Sequence, residues 1–308
     1  MSDPTMRAAG LPAQGTAMRI LVYGAGVTGS LFAVRLHEAG HDVSLLARGE
    51  RLAALREHGV LLAEGDGPVI RHVAVPVVER PSARYDLIIV LVRAHQVDAV
   101  LESIAGIGGD VLFLLNWAAG PGPLGAALGH ERVLLGFPTE AGIMDGQVVR
   151  YRAPSALTRM VTVPIGEPDG RSTPRLERIV QTFRAAGINA KAEPKMDAWL
   201  TTHAAFAAPL GQAVYAAGGP EALAARPQAV RDMVLSIRRS LEAMPTRPVP
   251  RGFDALRAVP VGVLVAVFRR FLRSPTAVHS GLSNASPSES AELDYMAGQL
   301  RALAKDAG

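Results

Sequence analysis

Residues 19–29 read RILVYGAGVTG, an apolar run that ends in glycines spaced Gly24-x-Gly26-x-x-Gly29. The spacing suits the grip of a phosphate by backbone. Gly24 permits a tight turn, Gly26 lets the chain approach a pyrophosphate, and Gly29 allows a helix to pack closely on the strand. With Ala25, Val27 and Thr28, these residues would offer backbone N–H groups and the positive end of a helix to the phosphates of a nicotinamide dinucleotide. A second strand ending near Ala47 is where an NAD site normally places a carboxylate for the ribose hydroxyls. Here stand Arg48 and Arg51, with Glu50 between them. Arginine favours a 2′-phosphate, so NADP is the cofactor expected. The alternative is that both arginines are solvated and Glu50 supplies the acid.

Further along, VRAHQV at 92–97 puts Arg93 at the carboxyl edge of a fourth strand, where it could reach the cofactor phosphates or merely cap the sheet. His95 reads as a surface or cap residue. Asn116 ends the run VLFLLN and precedes Trp117 and the stiff Gly120-Pro121-Gly122-Pro123 loop; its amide would face the nicotinamide and the substrate, or form a turn. His203 offers an imidazole, whose ordinary pKa suits proton transfer, and it could equally be a core residue. Glu292 precedes Leu293, Met296 and Leu300, so it could be a site carboxylate or an exposed helix residue.

Elements that could position these groups follow from the hydrophobic pattern. At 308 residues, two domains are expected. Residues 18–193 alternate short apolar runs with helical stretches, the pattern of parallel βαβ units and hence of a Rossmann-type doubly wound α/β sheet. Strands are expected at 19–23, 42–47, 85–92, 111–116 and 133–136, helices at 29–39, 49–58 and 95–104, an antiparallel addition over 142–166 and a closing helix at 174–186. Residues 194–308 change to long Ala- and Leu-rich segments, read as a second, all-helical substrate and dimerisation domain. It is broken by the prolines of 245–252 and ends in a helix running from Pro287 towards Lys305. Residues 1–17 are expected to be a disordered extension.

Composition narrows the partners. The chain is 49% hydrophobic and 19% charged, has no cysteine, and carries a formal charge of +4. No basic stripe or zinc-finger spacing is present, so nucleic acid is not expected as a partner and a small anionic substrate is. Without cysteine nothing calls for an oxidising compartment, and the cytoplasm is the default. The most apolar run, 259–268, is about half the roughly 20 residues that span a bilayer. It is taken as a buried or dimer-forming helix rather than a membrane-surface one, which the adjoining Arg269, Arg270 and Arg273 would suit, and a homodimer through the helical domain is the assembly expected.

Taken together, the RILVYGAGVTGS turn, Arg48, the VRAHQV stretch, Asn116, DAWLTTHAAFAAPL at 197–210 and ELDYMAG at 292–298 resemble the ketopantoate reductase (2-dehydropantoate 2-reductase) family over residues 18–305. The resemblance implies an active site between the two domains and NADPH-dependent reduction of a 2-oxo acid to the 2-hydroxy acid. It further implies that Glu292 binds the substrate hydroxyl and Ser280 the substrate carboxylate. The family's proton-donating lysine aligns with Thr201, and its two helix asparagines with Ala205 and Pro209. Thr201 is neither cationic nor a ready acid at neutral pH. The chain has three lysines, Lys191, Lys195 and Lys305, and none is an obvious replacement. His203 is the leading substitute, although two residues along a helix turn it about 200° away, with His279 a weaker one. The expectation is an NADPH-dependent oxidoreductase of this type. Two alternatives stay open: a non-catalytic, redox-sensing NADP-binding relative, and a reductase of another carbonyl or imine.

Overall fold

Strands buried on both faces read as continuous apolar runs, because helices cover each side of a parallel sheet. The computed structural model, which describes residues 17–82, 84–140, 142–152, 161–274, 277 and 287–306, builds such a sheet first. Its elements in chain order are β1 (Arg19–Tyr23), α1 (Val27–Glu38), β2 (Asp42–Leu46), α2 (Gly49–His58), β3 (Val60–Glu64), β4 (Arg71–Val73), β5 (Val77–Val78), β6 (Leu87–Val90), α3 (Val97–Ile104), β7 (Asp110–Leu114), α4 (Gly122–Leu128), β8 (Val133–Gly136), β9 (Gly142–Asp145), β10 (Val148–Tyr151), β11 (Val163–Gly166), α5 (Pro174–Ala185) and β12 (Ala190–Ala192). The large sheet has the order β12-β11-β8-β7-β6-β1-β2-β5, parallel except where β11 meets β8. Alternate residues of β1 serve opposite cores. Ile20 and Val22 pack with Phe32 of α1 and Phe183 of α5, while Leu21 and Tyr23 join Val97, Phe113 and Leu124 on the other face.

The 142–166 stretch divides between two sheets rather than adding to one. The hairpin β9–β10 joins a separate four-stranded sheet, β4-β3-β10-β9, in which β10 runs parallel to β3. Only β11 enters the large sheet as an antiparallel strand. The second sheet escapes a periodicity reading because its strands are three to five residues long, too short to establish a period of two. The expected helix from His95 also starts differently, with a single 3-10 turn, Ala94–Gln96, ahead of α3.

Downstream come α6 (Met196–Ala217), α7 (Pro220–Ala224), α8 (Pro227–Glu242), α9 (Asp254–Ala258), α10 (Val261–Leu272) and α11 (Pro287–Asp306). The domain is helical, and the proline-rich stretch between α8 and α9 interrupts it. α6 continues past Pro209, which lacks an N–H to close its turn. Burial of Leu210 and Val214 in the helical core holds that segment. α11 packs along α6, with Met296 against Ala204 and Ala208, and Gln212 Nε2 donating to Asp294 at 2.8 Å. α10 buries Leu264, Phe268 and Leu272 but leaves Val263 51% and Val267 56% exposed, so it is a surface helix with one apolar face outward rather than a core element. No helix among the described residues is long and apolar enough to cross a membrane. The 1–17 extension, Ala17 apart, lies outside the described residues, as do His279 and Ser280.

Candidate active site

The glycine turn sits where β1 leaves the sheet and α1 begins. Gly24 has φ +115°, and a Cβ on it would lie 2.3 Å from the Leu91 carbonyl oxygen; one on Gly29 would lie 1.8 Å from the Gly24 carbonyl oxygen. Any larger residue would push turn, helix and strand apart. Around Gly26, by contrast, a Cβ would meet nothing within 4 Å. That open space over an exposed backbone is where a pyrophosphate would fit, and the first turn of α1 carries no acidic residue to repel it.

Arg51 is not a ligand-facing cation. Its Nε donates to the Ala25 carbonyl at 3.1 Å, its Nη1 to the backbone and side-chain oxygens of Gln147 at 2.9 Å, and its Nη2 to Ser30 Oγ at 3.2 Å. The arginine therefore ties the glycine turn to the β9–β10 hairpin. Neither Gln147 nor this use of Arg51 was legible in the sequence, because the hairpin's return to the turn is a tertiary event. Arg48 differs. It is exposed, its guanidinium lies 5.7 Å from the Tyr23 ring centroid, and its Nη2 donates to the Tyr23 hydroxyl at 2.6 Å. Ser103 Oγ lies 3.0 Å from that hydroxyl. Glu50 is exposed in the first turn of α2.

Arg93, Asn116 and Glu292, from three separate elements, converge. Arg93 Nη1 meets Glu292 Oε2 at 3.0 Å, and Asn116 Nδ2 donates to Glu292 Oε1 at 3.1 Å. The ion pair is sheltered, with the side chains 34% and 14% exposed. Asn116 Oδ1 is buried and has no hydrogen-bond partner among the described residues, an acceptor of the kind a ligand N–H or O–H satisfies. α11 is held over the strand ends by a further bond, from the Ala118 amide to Gln299 Oε1 at 2.9 Å. Glu292 is thus no solvent-facing helix carboxylate, and Arg93 is more than an edge cap. His95 is exposed.

The α6 face is arranged otherwise. His203 is sandwiched, its ring stacked on Trp199 at 5.4 Å with an interplanar angle of 6°, and 4.3 Å from Phe137. Burial pushes its pKa down to about 4, so the imidazole is neutral at physiological pH and has no proton of imidazolium character to give. A neutral imidazole is a poorer proton donor than the ammonium it was expected to replace. Thr201 is buried, with its hydroxyl turned back to the Asp197 carbonyl at 2.9 Å. It lines a cavity between α6, α8 and α11 rather than touching Glu292 or Asn116. Burial also raises the Asp197 carboxyl above its usual range. No metal-binding group of His, Asp and Glu occurs among the described residues.

Comparison with known proteins gives this geometry a family. Residues 20–160 match the family model "Ketopantoate reductase PanE/ApbA". Curated relatives include 2-dehydropantoate 2-reductases from Lactococcus lactis, 30% identical over 43% of this chain and 41% of that protein, and from Pyrococcus horikoshii, 28% identical over 59% of this chain and 58% of that protein. The chain thus spans about half the length of the curated relatives it matches. Solved structures of the same fold include 2-dehydropantoate 2-reductase from Porphyromonas gingivalis, with TM-score 0.67, 17% identity and coverage of 95% of this chain and 98% of the other. A second is D-mandelate dehydrogenase with NADH, with TM-score 0.70, 18% identity and coverage of 94% and 92%. A Rossmann-like sheet with a helical second domain is common to them, and residues 20–160 carry the likeness to the ketopantoate reductase PanE/ApbA family.

Proposed function

We propose that the protein is an NADP-linked oxidoreductase that reduces a small 2-oxo acid, 2-dehydropantoate or a relative, to the 2-hydroxy acid. The observation that carries this reading is the Asn116 amide, whose Nδ2 is spent on Glu292 while its buried Oδ1 lacks a partner among the described residues. When bound, the reduced dinucleotide would supply the hydride. The backbone of Gly24, Ala25, Gly26, Val27, Thr28 and Gly29 would hold its pyrophosphate, and Arg48, braced on Tyr23, its 2′-phosphate. Asn116 Oδ1 would accept a hydrogen bond from the ligand. Arg93 Nη1 is engaged by Glu292, which leaves the rest of the guanidinium to grip a substrate carboxylate. Ser280 keeps the substrate contact that the resemblance implies.

Glu292 is bonded to both Asn116 and Arg93, and we assign it the relay of a proton from solvent water to the substrate oxygen as hydride arrives, in place of His203. A proton relayed from water is delivered more slowly than one already held by a positioned ammonium, so slower reduction than a lysine would give is expected. Cytoplasmic residence and pairing through the exposed face of α10 belong to the same proposal. The test follows NADPH oxidation across a panel of 2-oxo acids for the parent protein and Glu292→Gln. Loss of about 10²–10⁴ in kcat/KM with an unchanged NADPH Kd is the expected result. Tight NADPH binding with no oxo acid turned over would leave a binding protein and sink the enzyme.

A further inference from the structure

The cavity between α6, α8 and α11 shares no lining residue with the Arg93–Asn116–Glu292 cluster. Its volume is about 280 Å³, at the small end of pockets that take organic ligands. Arg239 of α8 and Arg301 of α11 both line it, and no Asp or Glu does. Neither guanidinium has a hydrogen-bond or ion-pair partner among the described residues. The neighbouring Arg238 shows the contrast, since its guanidinium donates to the carbonyls of Leu256 and Val259. Both arginines are exposed and border the same space, so an anion held between them would gain charge-assisted hydrogen bonds from each. Ser236 and Ser240, four residues apart on one face of α8, add hydroxyl donors to the same wall. Met244 and Leu300 make part of it apolar.

We propose that this cavity binds a small organic anion, a carboxylate or phosphate head on a short apolar tail. Arg239 and Arg301 hold the head, and Met244 and Leu300 receive the tail. The site is independent of the reductase reading, because none of its groups enters the proposed reaction. Isothermal titration of the 308-residue protein with hexanoate, hexyl phosphate and inorganic phosphate tests it. One of the two tailed probes is expected to saturate at one per chain, and inorganic phosphate to bind about tenfold more weakly for want of apolar burial. Tighter hexanoate identifies a carboxylate ligand, and tighter hexyl phosphate a phosphate. In the double variant Arg239→Gln/Arg301→Gln, both positions being exposed, affinity should fall by about tenfold or more while the unfolding temperature stays near the parent's. Arg93→Gln should leave the binding unchanged. Absence of saturation by either tailed probe, full affinity in the double variant, or loss of affinity in Arg93→Gln would each overturn the assignment.

Discussion

The sheet and helical parts of the candidate site are built from different materials. On the sheet side, the glycine turn is backbone packed against backbone, with a hypothetical Gly29 Cβ only 1.8 Å from the Gly24 carbonyl oxygen and Arg51 stitching Ala25 to the β9–β10 hairpin. On the helical side, the groups are side chains on α6 and α11 whose backbones are complete without them. Thr201 satisfies its hydroxyl within its own helix, at the Asp197 carbonyl. A site made of backbone geometry cannot be altered piecemeal, whereas a site made of side chains can be rewritten one residue at a time. That is why the chain keeps the family's glycine turn and carries a threonine where the resemblance expects a lysine.

The largest expected effect breaks the backbone side directly. Gly29→Ala forces a clash that no rotamer relieves, so it should cost about 3 kcal/mol or more and lower both the unfolding temperature and dinucleotide affinity. Gly26→Ala places its methyl in open space. It should leave the unfolding temperature unchanged and reduce NADPH affinity alone. Thermal unfolding alongside a fluorescence titration separates the two. Equal losses of stability in both variants would mean that Gly26 is structural and not a phosphate approach.

The helical side is sharpened by pH. Folding lowers the His203 pKa from 6.5 to about 4, so on acidification the unfolded chain takes up the proton first. Its contribution to stability is whole above about pH 6.5 and is lost as pH falls towards 4, by up to about 3 kcal/mol at 1.36 kcal/mol per pH unit. His203→Phe preserves the stacking on Trp199 and Phe137 and should remove most of that acid sensitivity. Because a neutral imidazole donates no proton, the same variant should keep turnover at neutral pH within about threefold of the parent. An unaltered acid transition would refute the buried neutral histidine, and a loss of about 10² or more in kcat would return it to the mechanism.

The difference in material also explains what could be read from the sequence. The βαβ order, the glycine turn and the change to helices near residue 194 are local patterns, and periodicity carries them. Asn116 and Glu292 stood out as candidates one at a time, but their meeting depends on α11 folding back over the strand ends, a contact 176 residues apart in the chain. The small sheet depends on β10 pairing in parallel with β3, which no local signal announces. Arg48 and Arg51 looked alike because they share charge and neighbourhood. Only the packed hairpin separates them, leaving Arg48 exposed and burying Arg51 enough to lower its pKa.

That separation supplies the finest test of the comparison. If Arg48 serves the cofactor and Arg51 the fold, Arg48→Met should cost little stability, since its held partner is the Tyr23 hydroxyl near the surface. It should weaken NADPH by about 10- to 100-fold, the worth of a charge-assisted contact of roughly 1.5–3 kcal/mol. NADH, which has no 2′-phosphate, should bind the variant within about twofold of the parent on the same argument. Added salt should narrow the difference between the cofactors in the parent more than in the variant, because screening acts on the exposed guanidinium. Arg51→Met supplies the counterpart: it strands the Ala25 carbonyl and the Gln147 oxygens, and should lower the unfolding temperature while weakening NADPH and NADH alike. If Arg48→Met weakens both cofactors equally, Arg48 is a second brace for the turn, and the 2′-phosphate preference lies elsewhere in the chain.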